Sequence, residues 1–113
     1  MSKMQRDKGA RFEREVRKLF EEAMPGATCK RGLQCRGGDE VPDVDAGGVF
    51  SIECKVGKNP PVKPALAQIL RDAPEGTIPM CVIKEDRKDA FVVLPLDDFL
   101  EFITEWYRET NRP

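Results

Sequence analysis

A glycine pair followed by a strictly alternating segment constrains the fold more than any other feature of this sequence. Residues 49–56 follow Gly47 and Gly48, and from residue 50 onward apolar side chains alternate with polar or charged ones. Successive side chains of a strand point to opposite faces of the sheet, so this alternation predicts a β-strand. Tight glycine turns join antiparallel strands, which predicts that residues 43–46 form the other strand of a hairpin. The fold must therefore contain a sheet built on this hairpin.

Helical and extended patterns alternate along the rest of the chain. Apolar residues at helical spacing predict helices, and short apolar runs bounded by glycine or proline predict strands. The predicted helices cover residues 8–23, 65–73 and 96–108, and the further strands cover residues 27–30, 80–84 and 90–94. The last two strands are expected to pair antiparallel. The element order is α-β-β-β-α-β-β-α, an α/β fold, and the length predicts a single domain over residues 1–113.

The absence of histidine excludes more chemistry than any other property of the composition. Serine–histidine hydrolysis, cysteine–histidine hydrolysis and histidine-ligated metal sites all require an imidazole, and the chain has none. Its four cysteines form no C-x-x-C pair, so we expect reduced core or loop residues. No stretch is apolar enough for a membrane span and no secretory signal is found, which predicts a cytoplasmic protein without a membrane partner.

Charge is distributed unevenly, although the net charge is only −1. Residues 1–36 carry ten Lys or Arg against five Asp or Glu, whereas residues 85–113 carry four against eight. A basic amino-terminal third is typical of a surface that binds a polyanion, but it is also the pattern of an ordinary solvated helix. Composition alone leaves both interpretations open.

Glu53 and Lys55 bring opposite charges to one face of the alternating strand, because they lie two positions apart. One interpretation is an ordinary cross-strand ion pair of little energetic consequence. The other is a Mg²⁺ site, since Mg²⁺ prefers one or two carboxylates together with water and phosphate oxygens. Asp43 on the neighbouring strand could supply the second carboxylate, and Lys55 would lie beside the phosphate. A site of this kind needs no histidine.

The length of the hairpin loop decides whether Asp43 can share a metal with Glu53. A two-residue turn would direct Asp43 to the opposite face of the sheet. A three-residue loop over residues 46–48 would pair Asp43 with Ser51 and place it on the Glu53 face. We predict this loop or an equivalent bulge, with Asp45 as the second choice of ligand.

These residues resemble the motifs of a known nuclease superfamily. Pro42-Asp43 followed by Glu53-Cys54-Lys55 is similar to the PD-(D/E)xK pattern of metal-dependent nucleases, which include many restriction enzymes. The segment KGARFERE, residues 8–15, resembles the start of archaeal-type and phage Holliday junction resolvases. The resemblance implies a restriction-endonuclease-like mixed β-sheet flanked by helices, and a homodimer that hydrolyses phosphodiester bonds in branched DNA. The last predicted helix has no counterpart in that family, so the dimer interface stays open.

The resemblance also implies roles for individual residues. The implied metal ligands are three carboxylates and one backbone carbonyl, those of Glu13, Asp43, Glu53 and Cys54. The implied ion is Mg²⁺, for which Mn²⁺ would substitute, and Lys55 would assist the attacking water as the fourth catalytic residue. Without the resemblance, Glu13 would be interpreted as a solvated helix residue paired with Arg17 one turn away.

Basic and polar residues near the motifs are expected to contact the DNA backbone, which would make affinity fall steeply with salt. They lie in the first helix, the first strand and the glycine-rich segment that follows: Lys8, Arg11, Arg14, Lys30, Arg31, Gln34 and Arg36. The glycine-rich segment could equally be an ordinary polar loop. Two rival functions stay open, a nicking, flap or sequence-specific nuclease of the same superfamily and a noncatalytic DNA-binding module.

Overall fold

The computed structural model describes residues 2–32 and 41–113. Its elements are α1 (Lys3–Ala23), β1 (Cys29–Arg31), β2 (Val44–Ala46), β3 (Phe50–Gly57), α2 (Val62–Asp72), β4 (Ile78–Glu85), β5 (Phe91–Val93) and α3 (Leu96–Thr110). The predicted order α-β-β-β-α-β-β-α is confirmed. The bounds differ from the predicted ones by a few residues, and the largest difference is the early start of α1.

A capping box at Ser2 explains where α1 begins. The Ser2 side chain accepts a hydrogen bond from the Gln5 N–H at 3.1 Å, and the Gln5 side chain accepts one from the Ser2 N–H at 3.1 Å. This exchange satisfies backbone donors that a helix start otherwise leaves free. The buried residues of α1 are Phe12 and Val16. Hydrophobic periodicity therefore could not detect the first turns.

The five strands form one mixed sheet in the order β1-β2-β3-β4-β5. β3 and β4 are parallel, whereas the other neighbouring pairs are antiparallel. Parallel neighbours need a crossover connection, and α2 provides it. The predicted mixed sheet flanked by helices and the predicted antiparallel pairing of the last two strands are both confirmed.

Helices cover both faces of the central strands. On one face α1 packs through Val16 in a cluster that includes Ile52. On the other face α2 packs through Ile69 in a cluster that includes Ile83. Glu53 lies in a strand that is buried on both faces, and it is itself 2% exposed. The Glu53 carboxylate is therefore inside the protein rather than on a solvated sheet.

Three of the four cysteines are free and buried, as predicted: Cys29, Cys54 and Cys81. Burial raises the pKa of all three thiols, to about 11 for Cys81, because desolvation disfavours the thiolate. These cysteines are therefore core residues rather than nucleophiles. Cys35 lies outside the described residues.

The β2–β3 loop has the predicted length of three residues, but it spans residues 47–49 rather than 46–48. Ser51 pairs with Asp45, so the predicted pairing of Ser51 with Asp43 is wrong. Both glycines of the loop have left-handed φ values, 66° and 71°, which glycine adopts without steric cost. This conformation keeps both of them outside the strands. The odd loop length, which sets the face on which Asp43 lies, is confirmed.

α3 differs from the other helices because none of its residues is buried. Its predicted apolar side is present, but Leu96, Leu100 and Tyr107 remain largely exposed. The Phe102 ring contacts that of Phe50, with 5.7 Å between the ring centroids. Within the described part of the chain, no helix is both long and apolar enough to span a membrane.

Candidate active site

The fold brings Asp43 and Glu53 together. Val44 pairs with Ile52 in the β2–β3 ladder, so the residues one step further along, Asp43 and Glu53, lie opposite each other. Directly opposite residues of antiparallel strands point to the same face. The Asp43 Oδ2 accepts a hydrogen bond from the Cys54 N–H at 2.8 Å, which fixes the carboxylate beside β3. Two predicted ligands are therefore neighbours.

Lys55 extends this group of charges toward solvent. It follows Glu53 on the same face of β3, and its Nζ lies 3.4 Å from the Glu53 Oε2. The Glu53 side chain is 3% exposed, whereas the Lys55 side chain is 34% exposed. The pair is therefore not the solvated surface ion pair of the simpler interpretation. The ammonium group lies beside a buried carboxylate and is itself partly exposed to solvent.

The other oxygen of Glu53 lacks a donor. Glu53 Oε1 is buried and makes no hydrogen bond to any of the residues that the structure describes. Burial of such an oxygen costs free energy unless the oxygen binds a proton or a cation. An unpaired carboxylate oxygen beside a second carboxylate is a donor set that suits a hard divalent cation. The residues present therefore fit the metal that the resemblance implies.

Burial raises the pKa of both carboxyl groups. The pKa of Glu53 is raised to about 7, first by burial and then by the charge of Asp43, while Lys55 acts to lower it. The pKa of Asp43 is also raised, chiefly by burial, while the hydrogen bond from the Cys54 N–H acts to lower it. A bound cation would favour the ionised form of both groups.

The raised pKa of Glu53 predicts that the metal-free protein loses stability as the pH rises from about 4.5 to about 7. The folded state holds the Glu53 proton more tightly than the unfolded state does. Its stabilising contribution is therefore complete below the unfolded pKa and is lost as the pH passes the folded pKa. We expect the free energy of unfolding to fall by up to about 3 kcal/mol across this window.

Urea unfolding in the presence of a chelator, at about pH 5 and about pH 8, measures this change. The Glu53→Gln variant is the control, since its amide does not titrate. A variant with the same pH dependence as the wild-type protein would show that another group is responsible.

Glu13 approaches from the α1 side of the sheet. Its Oε1 accepts two hydrogen bonds from the Arg31 guanidinium, at 2.9 Å from Nη2 and 3.2 Å from Nε. Arg17 donates instead to Glu21 at 2.7 Å, so the alternative pairing of Glu13 with Arg17 is not formed. Glu13 lies close enough to Asp43 for its charge to raise the pKa of that carboxyl group.

Three carboxylates do not converge in this arrangement. Over residues 2–32 and 41–113, no group of three or more His, Cys, Asp or Glu side chains is placed to hold a metal ion. The structure brings Asp43 and Glu53 together and leaves Glu13 paired with Arg31. The role of Glu13 as a metal ligand therefore stays a prediction.

The backbone carbonyl of Cys54 is oriented toward the same spot. In an antiparallel ladder the N–H and C=O of one residue point to the same neighbouring strand. The Cys54 N–H points to the start of β2, where it meets Asp43, so the Cys54 carbonyl also points there. The continued register places Pro42 opposite Cys54, and proline has no N–H to donate. This carbonyl is therefore suited to a metal.

Three of the residues predicted to contact DNA are exposed. Arg11 and Arg14 lie close to Glu13 along α1, and Lys30 precedes Arg31 on β1. Their exposure suits contacts with a phosphate backbone. Gln34 and Arg36 lie outside the described residues, so their predicted role stays a prediction.

Two predicted DNA ligands have protein partners that the sequence did not indicate. The Lys8 Nζ forms an ion pair with the carboxylate of Asp86, which lies in the turn after β4. Arg31 forms its pair with Glu13. The partners are separated by 78 and 18 residues along the chain, so neither helical nor strand periodicity could associate them. The Glu13–Arg31 pair is the contact between predicted site residues that sequence reasoning missed.

Comparison with known proteins identifies a family for this chain. A family model described as "Phage putative PDDEXK endonuclease" matches residues 4–111. The matched range includes every predicted site residue and the whole of α3. No curated protein and no solved structure matches the chain.

Proposed function

Because the chain belongs to the phage PD-(D/E)xK endonuclease family, we propose that it is a single-domain, Mg²⁺-dependent endodeoxyribonuclease that cleaves branched DNA. The observation that carries the metal dependence is the Oε1 of Glu53, which is buried beside Asp43 and Lys55 and has no hydrogen-bond partner among residues 2–32 and 41–113. Burial of two adjacent carboxylates raises the pKa of both, and this cost is expected where a cation is to be bound.

Asp43, Glu53 and the Cys54 carbonyl are the proposed metal ligands. A divalent ion held there, Mg²⁺ or its substitute Mn²⁺, would polarise a phosphate oxygen and lower the pKa of a bound water. The hydrogen bond from the Cys54 N–H positions Asp43, and the ladder to β4 positions Glu53. Two strands thus orient the ligands before any substrate is bound, which favours catalysis by reducing reorganisation.

Lys55 is proposed to act at the reacting phosphate. Its ammonium group lies beside Glu53 and is partly exposed, so it can orient the attacking water and offset the negative charge that develops on the phosphate. The reaction is hydrolysis, in which water attacks phosphorus and the leaving sugar oxygen takes up a proton. Lys55 has no other carboxylate partner among the ion pairs of the described residues.

Glu13 is proposed to join the site when DNA is bound. A phosphate would compete with the carboxylate for the Arg31 guanidinium, because both anions suit its planar donors. Arg31 would then contact DNA, as predicted, and Glu13 would be free to turn toward Asp43. The 19% exposure of the Glu13 side chain and 34% of Arg31 leave the pair accessible to a substrate.

Basic residues on α1 and β1 predict strongly salt-dependent DNA binding. Replacing Lys30 with alanine is expected to lower affinity similarly for all DNA sequences and to reduce the slope of log affinity against log salt concentration by about 1. The exposed Arg112→Ala variant is the matched control and should keep the wild-type slope. Fluorescence anisotropy over a salt series measures both, and equal slopes for the two variants would remove Lys30 from the interface.

The branched substrate and the two-subunit assembly rest on the resemblance of residues 8–15 to resolvases. Cleavage of a synthetic four-way junction should exceed cleavage of a linear duplex and of a flap of the same sequence, in Mg²⁺ and at equal DNA concentration. Equal cleavage of all three would remove the resolvase assignment and leave a nicking, flap or sequence-specific nuclease. Binding without cleavage of any of them would leave a DNA-binding module.

A further inference from the structure

The carboxyl-terminal helix exposes an apolar stripe that the rest of the described chain does not cover. The stripe consists of Leu96, Leu100, Ile103 and Tyr107. Leu96 is 68% exposed, Leu100 47% and Tyr107 61%, and only Ile103 is half-buried. Single exposed apolar residues are normal on a protein surface, but a continuous row of large ones is characteristic of an interaction site.

The spacing of this stripe is that of a helix-pairing seam. Its residues are separated by four, three and four positions, which is the heptad pattern in which the seam of one helix packs into that of another. Phe102, which contacts Phe50, lies roughly a third of a turn away from the stripe at 3.6 residues per turn. The contact that joins α3 to the sheet therefore leaves the stripe turned toward solvent.

The charges beside the stripe select one kind of partner. Asp97 directly follows the first stripe residue and Arg108 directly follows the last, so the two flank the same side of the stripe at opposite ends. An antiparallel copy of the helix would bring Asp97 of each helix near Arg108 of the other. In a parallel copy the flanks that carry Asp97 and Arg108 would lie on opposite sides of the seam, so these opposite charges would not meet.

The same antiparallel arrangement matches the apolar residues. With a two-fold axis at the middle of the stripe, Leu96 faces the Tyr107 position of the second helix and Leu100 faces the Ile103 position. The Glu105–Arg108 pair within one helix joins side chains that are each 66% exposed, so it is too weak to hold Arg108. The excess of acidic residues over residues 85–113 argues against a nucleic acid as the occupant.

We propose that α3 pairs antiparallel with α3 of a second copy of this chain, through the Leu96–Leu100–Ile103–Tyr107 stripe. This interface would join the two subunits of the proposed nuclease. The role of the dimer therefore rests on the proposed function, whereas the pairing itself does not. Its test measures association alone, so self-association can fail while cleavage survives, and the reverse.

Sedimentation equilibrium of the full chain tests the pairing. The wild-type protein should have twice the monomer mass of 12.8 kDa at protein concentrations of about 10 to 100 µM. Leu100→Glu should return the mass to that of the monomer. Leu70→Glu is the matched control, because Leu70 on α2 is 51% exposed against 47% for Leu100, and it should leave the dimer intact.

Charge exchange tests the antiparallel arrangement without altering an apolar residue. Asp97→Arg and Arg108→Asp should each weaken the dimer, by about tenfold in dissociation constant, and the double variant should restore it. If Leu100→Glu loses its circular dichroism signal, this exchange decides the proposal by itself. Any of four results would overturn the proposal: a monomeric wild-type protein, a folded Leu100→Glu variant that is still dimeric, a Leu70→Glu variant that also dissociates, or a double variant that dimerises more weakly than both single variants.

Discussion

Glu53→Gln is expected to lower the rate of DNA cleavage by about a thousandfold or more while leaving the fold and the DNA affinity nearly unchanged. The amide keeps the size of the side chain but removes the negative charge that a divalent cation requires. Glu53 is 2% exposed and its Oε1 lacks a donor among the described residues, so the change removes the one buried anionic oxygen that is available to the cation at this position of β3. Single-turnover cleavage of a four-way junction measures the loss.

The matched control for this change is Asp45→Asn. Asp45 lies on the same strand as Asp43, and its Oδ1 accepts a hydrogen bond from the Gly48 N–H at 3.2 Å, which an asparagine oxygen can also accept. The control should cleave at nearly the wild-type rate. Full cleavage activity of Glu53→Gln would show that Glu53 is not a catalytic metal ligand. DNA binding without cleavage, equal in the wild-type protein and in Glu53→Gln, would instead make the noncatalytic DNA-binding module the better account.

Lys55→Met is expected to lower the cleavage rate by about a hundredfold to a thousandfold without weakening metal binding. Methionine keeps most of the side-chain stem and removes the ammonium group that lies 3.4 Å from Glu53 Oε2. Because Lys55 acts to lower the pKa of Glu53, its loss should also move the pH dependence of cleavage to higher pH. Lys55→Arg, which keeps the charge, should recover part of the rate.

Lys58→Met controls for the loss of a positive charge near the site. Lys58 is exposed and directly follows β3. If Lys55 served only to attract DNA by its charge, removal of the Lys58 charge should lower the cleavage rate as much as removal of the Lys55 charge. Comparison of rates at saturating DNA with the DNA dissociation constants separates the two roles. A Lys55→Met protein that binds DNA weakly but cleaves bound DNA normally would place Lys55 in binding rather than in catalysis.

The order of the elements could be predicted because each one has its own periodicity. The alternating residues of β3 and the apolar run of β4 are long, central and buried on both faces, so their patterns are strong. The start of α1 could not be predicted from apolar spacing, because a capping box at Ser2 determines it. The loop was placed one residue too early, because Ala46 pairs with Phe50 at the end of the ladder and Val49 joins the two glycines in the turn.

The part of the site that depends on the geometry of the strands could be predicted from the sequence. The face on which Asp43 lies follows from an odd loop length, and the register then places it opposite Glu53. The Glu13–Arg31 pair could not be predicted, because it depends on how α1 packs against β1. The exposure of α3 could not be predicted either, because a helix that packs on its own core and a helix that packs on a partner have the same apolar periodicity.

The central claim is that Asp43 and Glu53 hold a divalent cation, and diffraction from crystals soaked in Mn²⁺ tests it most directly. Soaking should be done at about pH 8, where a Glu53 with a pKa of about 7 is mostly ionised. We predict an anomalous peak between the two carboxylates, within about 2.3 Å of an oxygen of each, and its loss in Glu53→Gln crystals. Ordered Asp43 and Glu53 side chains without such a peak, or a peak that survives Glu53→Gln, would contradict the account.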